Sequence, residues 1–336
     1  MKRLLFTLGG LGVAAWTVSR LVRSDYSFAG KSVLITGGSR GLGLALARRF
    51  AMEGARLALL ARDEDELARA CDQIRGIGGE AIPIPCDLLD RGQSLGAIET
   101  VVDRFGTIDV LVNNAGIIEV GPLENMRRQD FDKSMNLHFW APLNLMRQTI
   151  PHMRRAGGGR IVNISSIGGK VAVPHMVPYT ASKFALVGLS DGFRAELARG
   201  GIKVTTVTPG LMRTGSQVHA KFKGNHGAEY TWFSVSSAIP FAAVDADRAA
   251  EKIVEACRCG QSSLIIGLPA RLAIAGNALF PSLTGEILKF VNRVLPRPAG
   301  PNGDQLKSGD DARDEQSVPG WVARIGQAAM ARNNED

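Results

Sequence analysis

Cysteine is scarce. Cys71, Cys86, Cys257 and Cys259 are the four in 336 residues, too few to staple a chain of this length. Cys257 and Cys259 have one residue between them, fewer than a metal knuckle uses, and no histidine pair lies nearby. Reduced thiols in a cytosol-facing protein fit this usage. Runs of five basic residues are missing too, and no aromatics interleave the cations. The net charge of +8, from 40 basic and 32 acidic residues, therefore does not point to a nucleic acid. No internal repeat is found, and the 39 glycines lack the Gly-X-Y period of collagen. What is there is the balance of a folded domain: 45% apolar and 21% charged residues. That excludes a wholly disordered chain and a multi-span membrane protein. The length suits one large domain or two small ones.

The first thirty residues differ from the rest. Lys2 and Arg3 precede an uncharged apolar stretch, Leu4 to Val18, and Arg20 and Arg23 close it. Fifteen residues fall short of the roughly 20 that span a bilayer. Letting Arg20 snorkel extends the helix to Val22, close to spanning length. Residues 1–26 are read as an apolar helix anchoring the chain to a membrane, with the remainder facing the cytoplasm. The alternatives are a signal peptide, cleaved near Val13-Ala14-Ala15, and a helix packed on a soluble cytoplasmic domain. Positive charge at both ends leaves orientation undecided.

From Lys31 short apolar runs alternate with amphipathic stretches. Strands are expected at Ser32–Thr36, Arg56–Ala61, Ala81–Cys86, Ile108–Val112, Arg160–Ser165, Ile202–Thr208 and Ser263–Ile266. Helices are expected at Leu42–Glu53, Glu64–Arg75, Gln93–Phe105, Phe131–Arg155 and Tyr179–Arg199, with breaks or a kink at Pro142 and Pro151. This alternation predicts an α/β fold, a doubly wound parallel sheet with helices on both faces. Such a sheet binds its ligand at the carboxyl ends of its strands. Met212–Pro240 has weak periodicity and reads as an irregular lid carrying Tyr230, Trp232 and Phe233. Leu272–Leu295 reads as one or two apolar helices broken at Pro281. Pro296–Asp314, rich in Pro, Gly and Asp, reads as a disordered linker. Val318–Arg332 reads as a small amphipathic helix without evident chemistry. The expected organisation is an anchor over 1–26, a catalytic domain over 27–268, an apolar extension over 269–296 and a mostly disordered tail over 297–336.

Thr36-Gly37-Gly38-Ser39-Arg40-Gly41-Leu42-Gly43 lies between a strand and a helix. There a bare backbone can approach a pyrophosphate, and the helix N-terminus favours its charge. The spacing departs from Gly-x-Gly-x-x-Gly and matches Thr-Gly-x-x-x-Gly-x-Gly. Asn113-Asn114-Ala115-Gly116 follows the fourth strand, Tyr179-x-x-x-Lys183 opens a helix, and Pro209-Gly210 follows the sixth strand. In this order and spacing, from about Phe28 to Gly267, the chain resembles the short-chain dehydrogenases/reductases. The resemblance implies a nicotinamide dinucleotide held by Gly37, Ser39, Arg40, Gly41, Leu42 and Gly43. It places Asp87 at the adenine, Asn114 and Gly116 along the cleft, and Pro209, Gly210 and Thr214 near the nicotinamide, where Thr214 matches a position that binds the carboxamide.

Cofactor preference is read at the end of the second strand. An NAD-selecting fold usually has an acid there; this chain has Ala61-Arg62. A guanidinium can bind a 2′-phosphate bidentately, and Arg40 offers a second cation, so NADP(H) is expected. Asp63, just beyond, is the rival ribose ligand. Tyr179 and Lys183 are one turn apart and share a helix face, so an ammonium can favour the tyrosine's phenolate. Tyr179 and Lys183 also bind the cofactor in relatives. Ser166, thirteen residues before Tyr179, is placed to polarise a carbonyl oxygen, with Ser165 as the neighbouring alternative. Asn136 matches the family's fourth catalytic member, which distorts a helix and holds a water linked to the lysine. No metal site is expected from the five histidines, of which His175 lies nearest the cleft. The expected activity is NADP(H)-dependent reduction of a ketone, or oxidation of the alcohol, on a lipophilic substrate such as a steroid, isoprenoid or long-chain ketone. An NAD-linked dehydrogenase of a small polar substrate and a non-catalytic binding module are the rivals. The assembly is left open between a homodimer and a homotetramer.

Overall fold

Period-two alternation of fully buried residues organises the centre of the molecule. Val33 and Ile35 point to one side of their strand and Leu34 to the other, and all three are inaccessible to solvent. The computed structural model describes residues 26–215, 217–238, 243–313 and 330–335. The expected anchor over residues 1–26 lies almost wholly outside them. Among the described residues no helix is long and apolar enough to cross a membrane.

Seven parallel strands form the main sheet: β1 (Ser32–Thr36), β2 (Arg56–Ala61), β3 (Glu80–Pro85), β4 (Val110–Asn113), β5 (Gly159–Ile164), β6 (Ile202–Pro209) and β7 (Ser263–Ile266). Their order is β7-β6-β5-β4-β1-β2-β3. The order reverses beside β1, between β2 and β4, and a crevice opens there above the strands' carboxyl ends. Pro83 and Pro85 fall on β3, an edge strand, where a missing N–H costs no ladder bond on the solvent side.

The helices are α1 (Gly41–Met52), α2 (Glu64–Gly76), α3 (Arg91–Phe105), α4 (Arg128–Met135), α5 (Ala141–Arg155), α6 (Val177–Leu197), α7 (His226–Ala238), α8 (Ala246–Cys259), α9 (Leu268–Leu279) and α10 (Pro281–Val294). Val33, Ile35, Leu57, Leu59, Val110 and Val112 pack with Leu44, Phe50 and Ile253 on one face. Leu34, Leu60, Leu111 and Ile161 pack with Ile98, Val101, Leu145 and Met146 on the other. Each such aliphatic side chain contributes about 1.5–3 kcal/mol by leaving water. Asp63 caps α2 by accepting from the Glu66 N–H at 2.8 Å, and Asp90 caps α3 by accepting from Gly92 and Gln93.

Four expectations change. The irregular lid contains helix α7, and Tyr230 is core, stacked edge-on against Phe222 at 5.5 Å. Pro296–Asp314 is not an unstructured linker, because Lys307–Ser308 pairs antiparallel with Lys221–Phe222 and the Asn125 amide binds Ala299 and Asp304. The helix expected over Phe131–Arg155 widens into a π turn at Asn136–Trp140, where the Ala141 N–H reaches back to Asn136. Pro142 follows and has no N–H for the His138 carbonyl, which is the chemical reason for a widened turn at this place. Pro151 does not end α5, which runs on to Arg155.

Candidate active site

The glycine loop joins β1 to α1. Thr36 Oγ1 accepts from the N–H groups of Asn114 (2.9 Å) and Ala115 (3.0 Å) and donates to the Val112 carbonyl. Asn114 returns the tie, its amide donating to the carbonyls of Thr36 and Gly37, both at 3.0 Å. The ends of β1 and β4 are thus locked into one rim. Gly43 has no room for a side chain, since a Cβ would stand 1.8 Å from the Gly37 carbonyl oxygen. Gly41, with φ +57°, opens α1 in a conformation that other residues resist. A bare helix N-terminus of this kind favours an anion.

The expected cofactor residues lie at or just past the carboxyl ends of β1, β2, β3, β4 and β6, and Glu66 joins them through Arg40. Arg40 Nη1 lies 2.5 Å from Glu66 Oε1, and Ser39 Oγ donates to the other oxygen of Glu66 at 2.9 Å. Glu66 was not legible in the sequence, being one of several acids in the first turn of α2. Arg62 is exposed. Asp63 is spent on capping α2, which weakens its claim as ribose ligand. Asp87 is half-buried beyond β3 and accepts from the Leu89 N–H. Gly210 donates to the Ile266 carbonyl, and Thr214 is buried.

The second cluster lies where β5 meets α6. Ser165 Oγ donates to the Lys183 carbonyl at 3.1 Å, so its hydroxyl is already engaged. Ser166 Oγ accepts from the Gly168 N–H at 3.1 Å, and Ser166, not Ser165, is the serine that acts on the Tyr179 phenol. Lys183 is buried, and its Nζ donates to the Ile164 carbonyl at 3.0 Å while standing 5.7 Å from the Tyr179 ring centre. The expected effect on the tyrosine is not what burial produces. Burial pushes the Tyr179 phenol above its usual 10, and the Ser166 hydrogen bond offsets part of that rise. The group is thus held protonated at neutral pH. Asn136 heads the π turn and is exposed.

His138, from the same turn, carries no signal of a role in the sequence, yet it ties the cluster together. Its Nε2 accepts from the Ile117 N–H at 3.1 Å, which leaves Nδ1 to donate to Ser182 Oγ at 2.7 Å. Ser182 in turn donates to the Tyr179 carbonyl, and the imidazole meets the Tyr179 ring edge-on at 5.5 Å. Burial first, and Lys183 second, hold this histidine well below its usual 6.5. Farther out, His175 (φ +61°) pairs with the buried Glu229 at 2.8 Å, and Glu229 also accepts from Trp232 Nε1. That pair fastens α7 to the loop before Tyr179.

Burial draws Lys183 from the ordinary 10.5 down to about 7. Between pH 7 and 10.5 the unfolded chain holds a proton on this lysine that the folded chain has released, so stability rises with pH across that window. The thermal midpoint of the nucleotide-free protein is expected to climb from pH 7 to about 8.5, where the buried Cys86 and Cys257 thiols, pushed up to about 11 and about 12, begin to act the other way, and Lys183→Met to flatten the climb. Parallel curves for the two proteins would place a solvated ammonium here instead.

The profile of the short chain dehydrogenase family matches residues 31–223. The chain belongs to that family. A ketoacyl reductase of Nostoc sp., HetN, is 38% identical over 196 residues, 58% of this chain and 68% of the relative. The structure of an L-sorbose reductase from Gluconobacter frateurii, complexed with NADPH and L-sorbose, superposes with a TM-score of 0.65 at 27% identity, covering 72% of this chain and 97% of that one. An actinorhodin polyketide ketoreductase with NADPH gives 0.64 at 29% identity, covering 70% and 95%. The protein is an oxidoreductase of this family.

Proposed function

We propose that this dehydrogenase is an NADP(H)-dependent reductase of lipophilic ketones. The observation that carries the proposal is the cluster of Ser166, Tyr179 and a buried Lys183 whose Nζ stands 5.7 Å from the Tyr179 ring centre. NADPH is favoured by Arg40 at the glycine loop, by Arg62 beside it, and by the engagement of Asp63 in capping. Two of the similar structures hold NADPH.

The glycine rim fits a dinucleotide: Gly37 and Gly43 leave its floor bare, and Arg40 stands beside the helix N-terminus. When bound, the nicotinamide supplies the hydride for the carbonyl carbon. Ser166 donates to the carbonyl oxygen as charge develops there. Tyr179, kept protonated by burial, gives that oxygen its proton. Lys183 holds the nicotinamide ribose, and a water held at Asn136 links it to solvent. His138 fixes the backbone from which Tyr179 projects.

The lipophilic reading rests on what surrounds the tyrosine. Tyr179 packs against an apolar cluster that includes Val120, Met176, Phe222 and Trp232. Outside, α9 and α10 expose Leu272, Leu279, Phe280, Leu283, Ile287 and Phe290, with Arg271, Lys289 and Arg293 among them. Asn277 ties α9 to the Lys170 carbonyl, near the catalytic serine. An apolar face with basic neighbours suits an anionic lipid surface on the cytoplasmic side, and the run Leu4–Val18 suits the same membrane. Catalytic efficiency is expected to rise by up to about 0.8 kcal/mol, roughly fourfold, per methylene along a series of methyl ketones. The protein is also expected to sediment with anionic vesicles. A preference for short polar ketones would favour the sugar-reductase likeness instead, and no sedimentation would leave α9 and α10 as a subunit interface.

A further inference from the structure

Residues 330–335 lie against the glycine rim. The Asn333 carbonyl accepts from the Gly41 N–H at 2.8 Å, and the Asn333 amide donates to the Thr214 carbonyl at 3.2 Å. Asn334 donates to the carbonyls of Ser39 (2.9 Å) and Glu66 (3.2 Å) and accepts from Arg69. Glu335 follows, 3% exposed, with its carboxylate 3.8 Å from Arg40 and 3.0 Å from His219. A Cβ on Gly41 would stand 2.5 Å from its Oε1.

These contacts use the donors a dinucleotide needs. The Gly41 N–H at the start of α1 is the kind of group that meets a pyrophosphate, and Arg40 is the cation expected at the 2′-phosphate. A carboxylate between Arg40 and the helix N-terminus is a chemical stand-in for phosphate. The segment also reaches Thr214, so it lies across the path from the phosphates to the nicotinamide end. Glu335 Oε2 meets His219 and Arg40 by charge alone, without a well-formed hydrogen bond, and a phosphate brings more charge to the same cation.

We propose that Asn333–Glu335 is a built-in competitor of the nucleotide, docked in the glycine rim when the site is free and displaced when NADPH binds. The inference rests on the cofactor reading above. A segment docked nine-tenths of the time weakens apparent nucleotide affinity about tenfold, because only the undocked fraction can bind.

The test uses the full chain and its Asn334→Ala/Glu335→Ala variant, titrated with NADPH and with NADH. Nucleotide affinity is expected to tighten at least about tenfold in the variant, with kcat at saturating nucleotide unchanged. Hydrogen exchange on the unaltered protein gives a reading that does not depend on the variant folding. Amides of residues 330–335 are expected to be protected without nucleotide and to exchange freely once NADPH saturates the site, while α1 stays protected. Equal affinities in the two proteins, or protection of 330–335 that NADPH leaves in place, would overturn the proposal. Weaker binding by the variant would overturn it as well, making the segment part of the cofactor's clamp. Nucleotide bound by neither protein would bring down the cofactor reading itself, and the competition with it.

Discussion

Tyr179→Phe is expected to lower turnover by roughly 10²–10⁴-fold while nucleotide affinity and thermal stability stay close to the parent. The substitution removes one hydroxyl and keeps the ring. The ring's edge-on contact with His138 and its packing on the apolar cluster both survive. Ser166 keeps its bond from the Gly168 N–H, so the oxyanion donor stays in place. What is lost is the proton for the product alcohol, an interaction needed only as the carbonyl is reduced. The rate constant and the specificity constant should therefore fall together, the pattern of a transition-state contact. Turnover near the parent level would remove Tyr179 from the chemistry. A fall in the specificity constant alone would make it a binding residue.

The second large effect concerns the choice between NADPH and NADH. Arg40→Ala with Arg62→Ala is expected to reduce the preference for NADPH by about 100-fold, with NADH used nearly as before. Each charge-assisted phosphate contact is worth about 1.5–3 kcal/mol. The lower end applies here, because Arg40 already faces the Glu66 carboxylate at 2.5 Å and must leave or share it. Losing Arg40 also removes a partner of Glu335, which would ease binding of both nucleotides alike. The ratio of the two specificity constants cancels that common term and is the quantity to measure. An unchanged ratio would mean that the arginines do not meet the 2′-phosphate.

Much of this architecture is legible because the central strands are short apolar runs closed by glycine or by a polar turn. Ser32–Thr36, Arg56–Ala61 and Ser263–Ile266 fall where the pattern puts them. The fully buried strands need no alternation to be recognised, and the family's spacing singles out Ser166 from Ser165. What stays hidden depends on partners far along the chain. Helix α7 has little periodicity because its aromatics pack on Phe222, a strand residue, and its Glu229 reaches His175. The order at Lys307–Ser308 comes from pairing with Lys221–Phe222. Glu66 and His138 look like an ordinary helix-surface acid and an isolated histidine until the fold brings Arg40 to one and Ser182 to the other. Asn333, Asn334 and Glu335 read as a solvated tail by composition, and only the glycine rim gives them partners. Sequence pattern reports local preference and burial; it does not report which distant polar groups will meet.

The strand order has a consequence for synthesis. β1 lies inside the sheet, with β2 on one side and β4 on the other, its Val33 set against Val110. A ribosome that has released β1, β2 and β3 has released three neighbouring strands whose interior strand-to-be, β1, is still an edge. The unpaired backbone of Ser32–Thr36 offers a template to any other extended chain until residues 110–113 emerge. β4 then closes that edge and opens another, which waits for β5, and so on toward β7. Growth on this side is strictly sequential, each strand sealing the one before it. A pause in translation along α3 therefore leaves a strand that ends fully buried exposed to misassociation, and the nascent chain's need for chaperone cover is greatest there.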